Sequence, residues 1–117
     1  MTASSVARIN VSELTARLAR TATGDHPIAL LDVRESWERT IASLEPCLAI
    51  VMNDVPDCLD EIRAFQANRE LIVYCHTGKR SLVIARYLAE QGFDRLASLD
   101  GGIDAWSEHN RATRHQY

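Results

Sequence analysis

Two short runs of almost uninterrupted apolar residues most constrain how this chain can fold. They are Ile28–Val33, with the sequence IALLDV, and Leu71–Tyr74, with the sequence LIVY. Runs this short and this apolar are typical of strands that are covered on both faces. Segments with helical periodicity lie between and after them. This alternation predicts an α/β fold, with a central parallel sheet and helices on both faces.

The other elements are predicted from capping residues, helix breakers and periodicity. Ser12 is predicted to cap a first helix over residues 13–20. Further helices are predicted at 35–40, 57–65, 80–91 and 103–109, a turn at 21–27, and short strands at 47–52 and 95–99. The chain has 117 residues and no internal repeat. We therefore expect one domain over residues 1–117, in which residues 111–117 form a C-terminal tail.

Composition narrows the class of protein. Apolar residues make up 46% of the chain and charged residues 25%, which is ordinary for a folded soluble domain. A net charge of -3 argues against nucleic acid as the main partner. The sequence holds no apolar stretch long enough for a membrane span and does not begin like a secretory signal. We expect a cytoplasmic protein without membrane contact, either a monomer or a weak dimer.

The three cysteines differ in their surroundings. An odd number without metal-ligand spacing predicts free thiols, and neither a metal nor an organic cofactor is expected. Cys47 lies in an apolar run and Cys58 in a helical segment, so both are interpreted as small buried apolar residues. Cys75 differs because it directly follows the predicted strand 71–74. It is the one cysteine whose position suits chemistry.

Cys75 opens the segment CHTGKRS, residues 75–81, which is called the cysteine loop below. In parallel sheets, ligands collect at the carboxyl ends of strands, where this loop is predicted to lie. If the loop curls into the next helix, the N–H groups of residues 76–81 converge beside the helix N-terminus. Gly78 permits the left-handed turn that such a curl needs. Lys79, which is the only lysine of the chain, and Arg80 add positive charge. Such a site favours a thiolate and an anionic ligand, although an inert turn remains the alternative.

Three ordered motifs resemble those of the single-domain rhodanese-type sulfurtransferases. The cysteine loop resembles that family's C-x-x-G-x-R-S loop. The segment LLDVRESWE, residues 30–38, resembles its D-V-R-x-x-x-E signature, and LDGGIDAW, residues 99–106, resembles its C-terminal signature. The resemblance implies a rhodanese-like fold. It also implies a transferase that moves a sulfane sulfur from thiosulfate or a similar anionic donor to cyanide, a thiol or a protein acceptor.

The resemblance also assigns roles to residues. Cys75 is implied to carry the sulfur as a persulfide. The substrate-binding or anion-binding residues are then those of the loop: His76, Thr77, Gly78, Lys79, Arg80 and Ser81. Lys79 and Arg80 are expected to attract the anionic donor.

Residues outside the loop receive supporting roles. Asp32 and Arg34 are expected to support the loop by ion pairing, with an ordinary strand-end role as the open alternative. Trp37 and Trp106 are interpreted as core aromatics.

Several alternatives stay open at this point. Related phosphatases use a loop one residue longer between cysteine and arginine, whereas four residues separate Cys75 from Arg80 here, which favours sulfur over phosphate. A sulfur-carrier module that serves a partner protein's cysteine is the main functional alternative. An inactive interaction domain is a third, against which the intact cysteine argues. Residues 42–51 depart from the family pattern, and the departure leaves open whether Cys47 lies near the site.

Overall fold

The computed structural model describes residues 6–22, 24, 27–44 and 46–114, with the backbone alone for residues 22 and 110–114. Its centre is a five-stranded sheet in the order β1-β5-β4-β2-β3. All neighbouring strands are parallel. The strands are β1 (Ala7–Ile9), β2 (Ile28–Asp32), β3 (Leu48–Ala49), β4 (Glu70–Tyr74) and β5 (Leu96–Leu99). The predicted parallel α/β sheet is therefore confirmed.

Helices connect the strands. They are α1 (Val11–Ala22), α2 (Ser36–Arg39), a 3₁₀ helix (Met52–Asp57), α3 (Leu59–Gln66), α4 (Lys79–Glu90) and α5 (Gly102–Arg114). None of the helices in the described ranges is both long and apolar enough to cross a membrane.

Side chains along a strand point alternately to the two faces of the sheet, and helices cover both faces. Leu71, Val73 and Cys75 pack on one side with residues of α3 and α4. Ile72 and Tyr74 pack on the other side with residues of α1 and α5. We call these sides the α4 face and the α5 face. Every residue of β2 and β5 is buried, as the apolar run predicted for β2.

Several predicted boundaries were wrong. Asn10, not Ser12, caps α1: its Oδ1 accepts from the Glu13 amide at 2.9 Å, while Glu13 Oε1 accepts from the Asn10 amide at 3.0 Å. The predicted strand at 47–52 is reduced to Leu48–Ala49, and the 3₁₀ helix begins at Met52. Helix α5 continues to Arg114, so residues 111–114 are helical rather than tail. Residues 115–117 and part of the predicted turn at 21–27 lie outside the described residues.

Trp37 does not belong to the core, contrary to the sequence interpretation. Its side chain is 65% exposed, since α2 has one turn and directs Trp37 to the surface. Trp106 is half-buried and packs against the core of the α5 face, as an aromatic residue on an amphipathic helix can.

Candidate active site

The sulfur of Cys75 lies at the centre of the cysteine loop. Cys75 directly follows β4 and is only 1% exposed. Its Sγ accepts hydrogen bonds from the amides of Gly78 at 3.1 Å and Ser81 at 3.3 Å, and the Ser81 Oγ lies at 3.5 Å. Of the six loop amides expected to converge, these two reach Sγ in the described structure. Two N–H groups aimed at one sulfur stabilise negative charge on it.

Gly78 makes the curl of the loop possible. Its φ of +104° lies in the left-handed region, which a residue with a Cβ rarely adopts. Gly78 caps α4, so the loop leads straight into the helix N-terminus, as the sequence predicted. A Cβ at Gly78 would also lie 3.2 Å from the carbonyl oxygen of Leu99 in β5. The loop is thus held tightly against the neighbouring strand.

The first turn of α5 forms hydrogen bonds with the backbone of the cysteine loop. The amide of Ile103 donates to the Cys75 carbonyl at 2.8 Å, and that of Asp104 to the His76 carbonyl at 3.0 Å. These bonds satisfy donors that the first turn of a helix leaves free. In a trans peptide the N–H points opposite to the C=O, so the His76 and Thr77 amides point away from α5. Helix α5 therefore orients loop amides that do not themselves contact Sγ.

A salt bridge fixes Arg80. Its two terminal nitrogens each lie 2.8 Å from an oxygen of Glu38, which is the last residue of the D-V-R-x-x-x-E segment. Hydrogen bonding to Arg80 lowers the pKa of Glu38 to about 2, and the same bond raises the pKa of Arg80. Sequence reasoning did not single out Glu38. The glutamate at the end of the signature was the available signal, but its partner lies 42 residues away.

Asp32 and Arg34 form an ion pair with each other, and both are buried. The Arg34 guanidinium lies 2.8 Å from an Asp32 carboxylate oxygen, and it also donates to the carbonyls of Glu38 and Ala42. The pair therefore braces the segment that carries Glu38, which in turn contacts Arg80. The described contacts of Asp32 and Arg34 do not include the cysteine loop itself, so support of the loop by these two residues stays a prediction.

The other two cysteines have surroundings that differ from those of Cys75. Cys47 is half-buried on the α5 face, opposite to Cys75, where the Tyr74 hydroxyl lies 3.7 Å from its Sγ. Cys58 is half-buried beside the 3₁₀ helix. Partial burial, together with the carboxylates of Glu61, Asp54 and Asp57, raises the pKa of Cys58. A thiol held in its neutral form is a poor nucleophile.

A cleft of about 200 Å³ opens beside the loop. His76 lines it together with Arg34, Trp37, Ile41, Ile103 and Ser107. Trp37 and Ile41 are 65% and 76% exposed, which places two large apolar side chains near the loop. Of the predicted loop residues, His76, Thr77 and Lys79 are exposed, Gly78 and Arg80 are half-buried, and Ser81 is buried.

The Glu38–Arg80 pair predicts how acid affects stability. The pKa of Glu38 is lowered from 4.5 to about 2, so its contribution is complete above pH 4.5 and is lost as the pH falls toward 2. We expect Glu38→Gln to lower the free energy of unfolding by on the order of 1–2 kcal/mol near neutral pH, since Arg80 is partly exposed. Urea unfolding of the wild-type and Glu38→Gln proteins across this pH range measures the difference in their free energies of unfolding. The free energies of unfolding of the two proteins should converge toward pH 2. A difference that does not change with pH would show that the charge of Glu38 is not the cause.

A buried cysteine that accepts two backbone N–H bonds at the carboxyl end of a parallel strand defines a class, the α/β domains with a cysteine at the edge of the sheet where ligands collect. The comparison with known families gives the particular member of that class. Residues 11–109 match the Rhodanese-like domain, and the chain belongs to this family.

Relatives and solved structures agree with this assignment. A sulfurtransferase of Allochromatium vinosum is 33% identical over 104 residues, which cover 89% of this chain and 91% of that protein. The thiosulfate sulfurtransferase GlpE of Shewanella oneidensis is 54% identical over 43 residues, covering 37% and 43% of the two chains. The crystal structure of a rhodanese-like domain protein from Staphylococcus aureus has 28% identity and a TM-score of 0.73, covering 86% and 91%. The predicted rhodanese-like fold is thereby confirmed.

Proposed function

We propose that this protein is a sulfurtransferase that carries a sulfane sulfur as a persulfide on Cys75. The observation that supports this most is the position of the Cys75 Sγ, which accepts bonds from the Gly78 and Ser81 amides at the end of β4. The name of the GlpE relative supports thiosulfate as the donor.

The reaction has two displacement steps. The Cys75 thiolate attacks the outer sulfur of thiosulfate, a sulfur–sulfur bond forms, and sulfite leaves with the electron pair of the bond that breaks. Cyanide or a thiolate then attacks the outer sulfur of the persulfide. The sulfur leaves as thiocyanate or as a new persulfide, and the Cys75 thiolate is regenerated.

The loop suits a negatively charged sulfur in both steps. The thiolate and the persulfide are both anions, and preorganised N–H donors stabilise such charge without reorganising during the reaction. Arg80 adds positive charge, although its guanidinium is already bound by Glu38. Lys79 is exposed at the first turn of α4, so its ammonium group is the better placed of the two to meet an incoming anion.

Lys79 gives a direct test of anion attraction. We expect Lys79→Ala to raise the KM for thiosulfate about three- to tenfold and to leave kcat within about twofold, because an exposed charge acts mainly on encounter. Steady-state kinetics at low and moderate salt measure both constants. The difference should shrink as salt rises.

Two matched variants control this experiment. Lys79→Arg keeps the charge and should keep the KM. Arg86→Ala removes another exposed cation two turns along α4 and should change neither constant. An equal loss with thiosulfate and with an uncharged sulfane-sulfur donor counts against anion attraction.

The function itself is tested by double-displacement kinetics. If a persulfide enzyme is an obligatory intermediate, thiosulfate should release sulfite in the absence of any acceptor, in an amount equal to the enzyme. Varying thiosulfate and cyanide together should give parallel reciprocal plots. Sulfite release that requires cyanide would contradict the intermediate.

A protein thiol is the second candidate acceptor. The cleft beside His76, with Trp37 and Ile41 exposed at its edge, favours an acceptor larger than cyanide, since exposed apolar residues commonly mark contact surfaces. Transfer from the persulfide protein to the cysteine of a test protein should then be faster than transfer to cyanide and should slow with Trp37→Ser. Equal rates would favour the small-molecule enzyme.

A further inference from the structure

Ser98 places a hydroxyl inside an apolar layer of the protein. It lies in β5 opposite Val73 of β4 and is completely buried. Its side chain lies on the α4 face, where its neighbour along the strand, Leu96, belongs to the hydrophobic core. Burying a hydroxyl costs free energy unless it is hydrogen-bonded, so the partner of Ser98 is informative.

That partner is Ser81 of the cysteine loop. The two Oγ atoms are 2.8 Å apart, and this is the one side-chain hydrogen bond of Ser98 in the described structure. Ser81 Oγ also lies 3.2 Å from the Gly78 carbonyl oxygen and 3.5 Å from Cys75 Sγ. A chain of contacts therefore runs from β5 through Ser81 to the sulfur.

The number of hydroxyl protons limits which of these hydrogen bonds can form at the same time. The Ser81 hydroxyl has one proton, which it can donate to the Gly78 carbonyl or to the sulfur but not to both. The Gly78 carbonyl also accepts from the Leu82 amide at 3.3 Å, so it keeps a partner when the Ser81 proton turns away. With the neutral thiol, Cys75 donates to Ser81 Oγ and Ser81 donates to the Gly78 carbonyl. When the thiol ionises and Ser98 donates to Ser81 Oγ instead, the Ser81 proton can turn from the Gly78 carbonyl to the sulfur.

We propose that Ser98 is a positioning residue for Cys75. Its hydroxyl donates to Ser81 Oγ and thereby makes the Ser81 hydroxyl the third hydrogen-bond donor to the sulfur, beside the amides of Gly78 and Ser81. A donor that is itself hydrogen-bonded is polarised and becomes a stronger donor. This inference rests on the proposed role of Cys75, and it adds a residue outside the cysteine loop to the group that stabilises the anionic sulfur.

The test is the pH profile of Cys75 alkylation by iodoacetamide, followed by peptide mass spectrometry so that Cys47 and Cys58 do not contribute. Ser81→Ala should raise the midpoint by about one pH unit, a tenfold change in the ionisation equilibrium. Ser98→Ala should raise it by about half a unit. The double variant should match Ser81→Ala, because Ser98 acts only through Ser81.

Two control variants separate positioning from stability. Leu96→Ala creates a cavity on the same strand and face, so it should lower Tm without moving the midpoint. Ser98→Thr keeps the hydroxyl and should keep the wild-type midpoint. The neighbouring charges of His76, Lys79, Arg80 and Glu38 are the same in every variant.

The proposal is overturned if Ser98→Ala leaves the midpoint unchanged, or if it shifts the midpoint equally when Ser81 is already alanine. Alkylation needs no sulfur donor. A protein that never forms a persulfide would refute the proposed function and still give an alkylation midpoint, so the two failures can be told apart.

Discussion

Replacing Cys75 with serine is expected to abolish sulfur transfer, with a loss of turnover of roughly a thousandfold or more. The hydroxyl keeps nearly the same shape, but it is not ionised near neutral pH and cannot form the sulfur–sulfur bond that holds the transferred atom. Thiocyanate formation from thiosulfate and cyanide measures the loss. The variant should fold, because serine accepts the same amide hydrogen bonds.

Cys58→Ser provides the matched control. Cys58 is half-buried like many structural cysteines, and this burial, together with its carboxylate neighbours, raises its pKa and disfavours the thiolate. Its replacement should leave kcat and KM within about twofold of the wild-type values. A Cys75→Ser protein with substantial turnover, or a Cys58→Ser protein without any, would contradict the assignment of Cys75.

Gly102→Ala is expected to have the largest effect on stability among the glycine substitutions. A Cβ at Gly102 would lie 2.4 Å from the Cys75 carbonyl oxygen and 2.5 Å from that of His76, and the φ of +59° is itself unfavourable for alanine. The first turn of α5 would have to move away from the loop. We expect the free energy of unfolding to fall by about 2–4 kcal/mol, together with a marked loss of turnover.

Gly92→Ala separates the cost of a positive φ from the cost of a close contact with the loop. Gly92 also has a positive φ, +93°, but its added Cβ would lie 3.9 Å from one nitrogen of the flexible Arg63 side chain. Its substitution should therefore cost only about 1 kcal/mol and should leave turnover unchanged. Equal losses of stability in the two variants, measured by urea unfolding, would show that close packing of α5 against the loop is unimportant.

Local sequence pattern was enough to predict much of the architecture. The apolar runs at β2 and β4 predicted buried parallel strands because a strand covered on both faces is apolar at nearly every position. Gly78 predicted the left-handed turn before α4. In each case the physical cause lies within a few adjacent residues, so it can be read without knowing the tertiary structure.

Features that depend on distant partners could not be predicted in this way. The Glu38–Arg80 pair joins residues 42 positions apart, and Ser98 meets Ser81 only because β5 lies beside β4. Trp37 resembled a core aromatic, but a single turn of helix leaves it exposed. Strand β1 has only three residues, two of them exposed, and pairing with β5 rather than an apolar pattern forms it.

The most direct test of the central claim locates the transferred sulfur. The protein is treated with thiosulfate, its intact mass is measured, and the modified residue is identified by peptide mass spectrometry. We expect one added sulfur atom, on the peptide that contains Cys75, and its removal by cyanide. An added sulfur on Cys47 or Cys58, or no added sulfur in a correctly folded protein, would contradict a persulfide mechanism at Cys75.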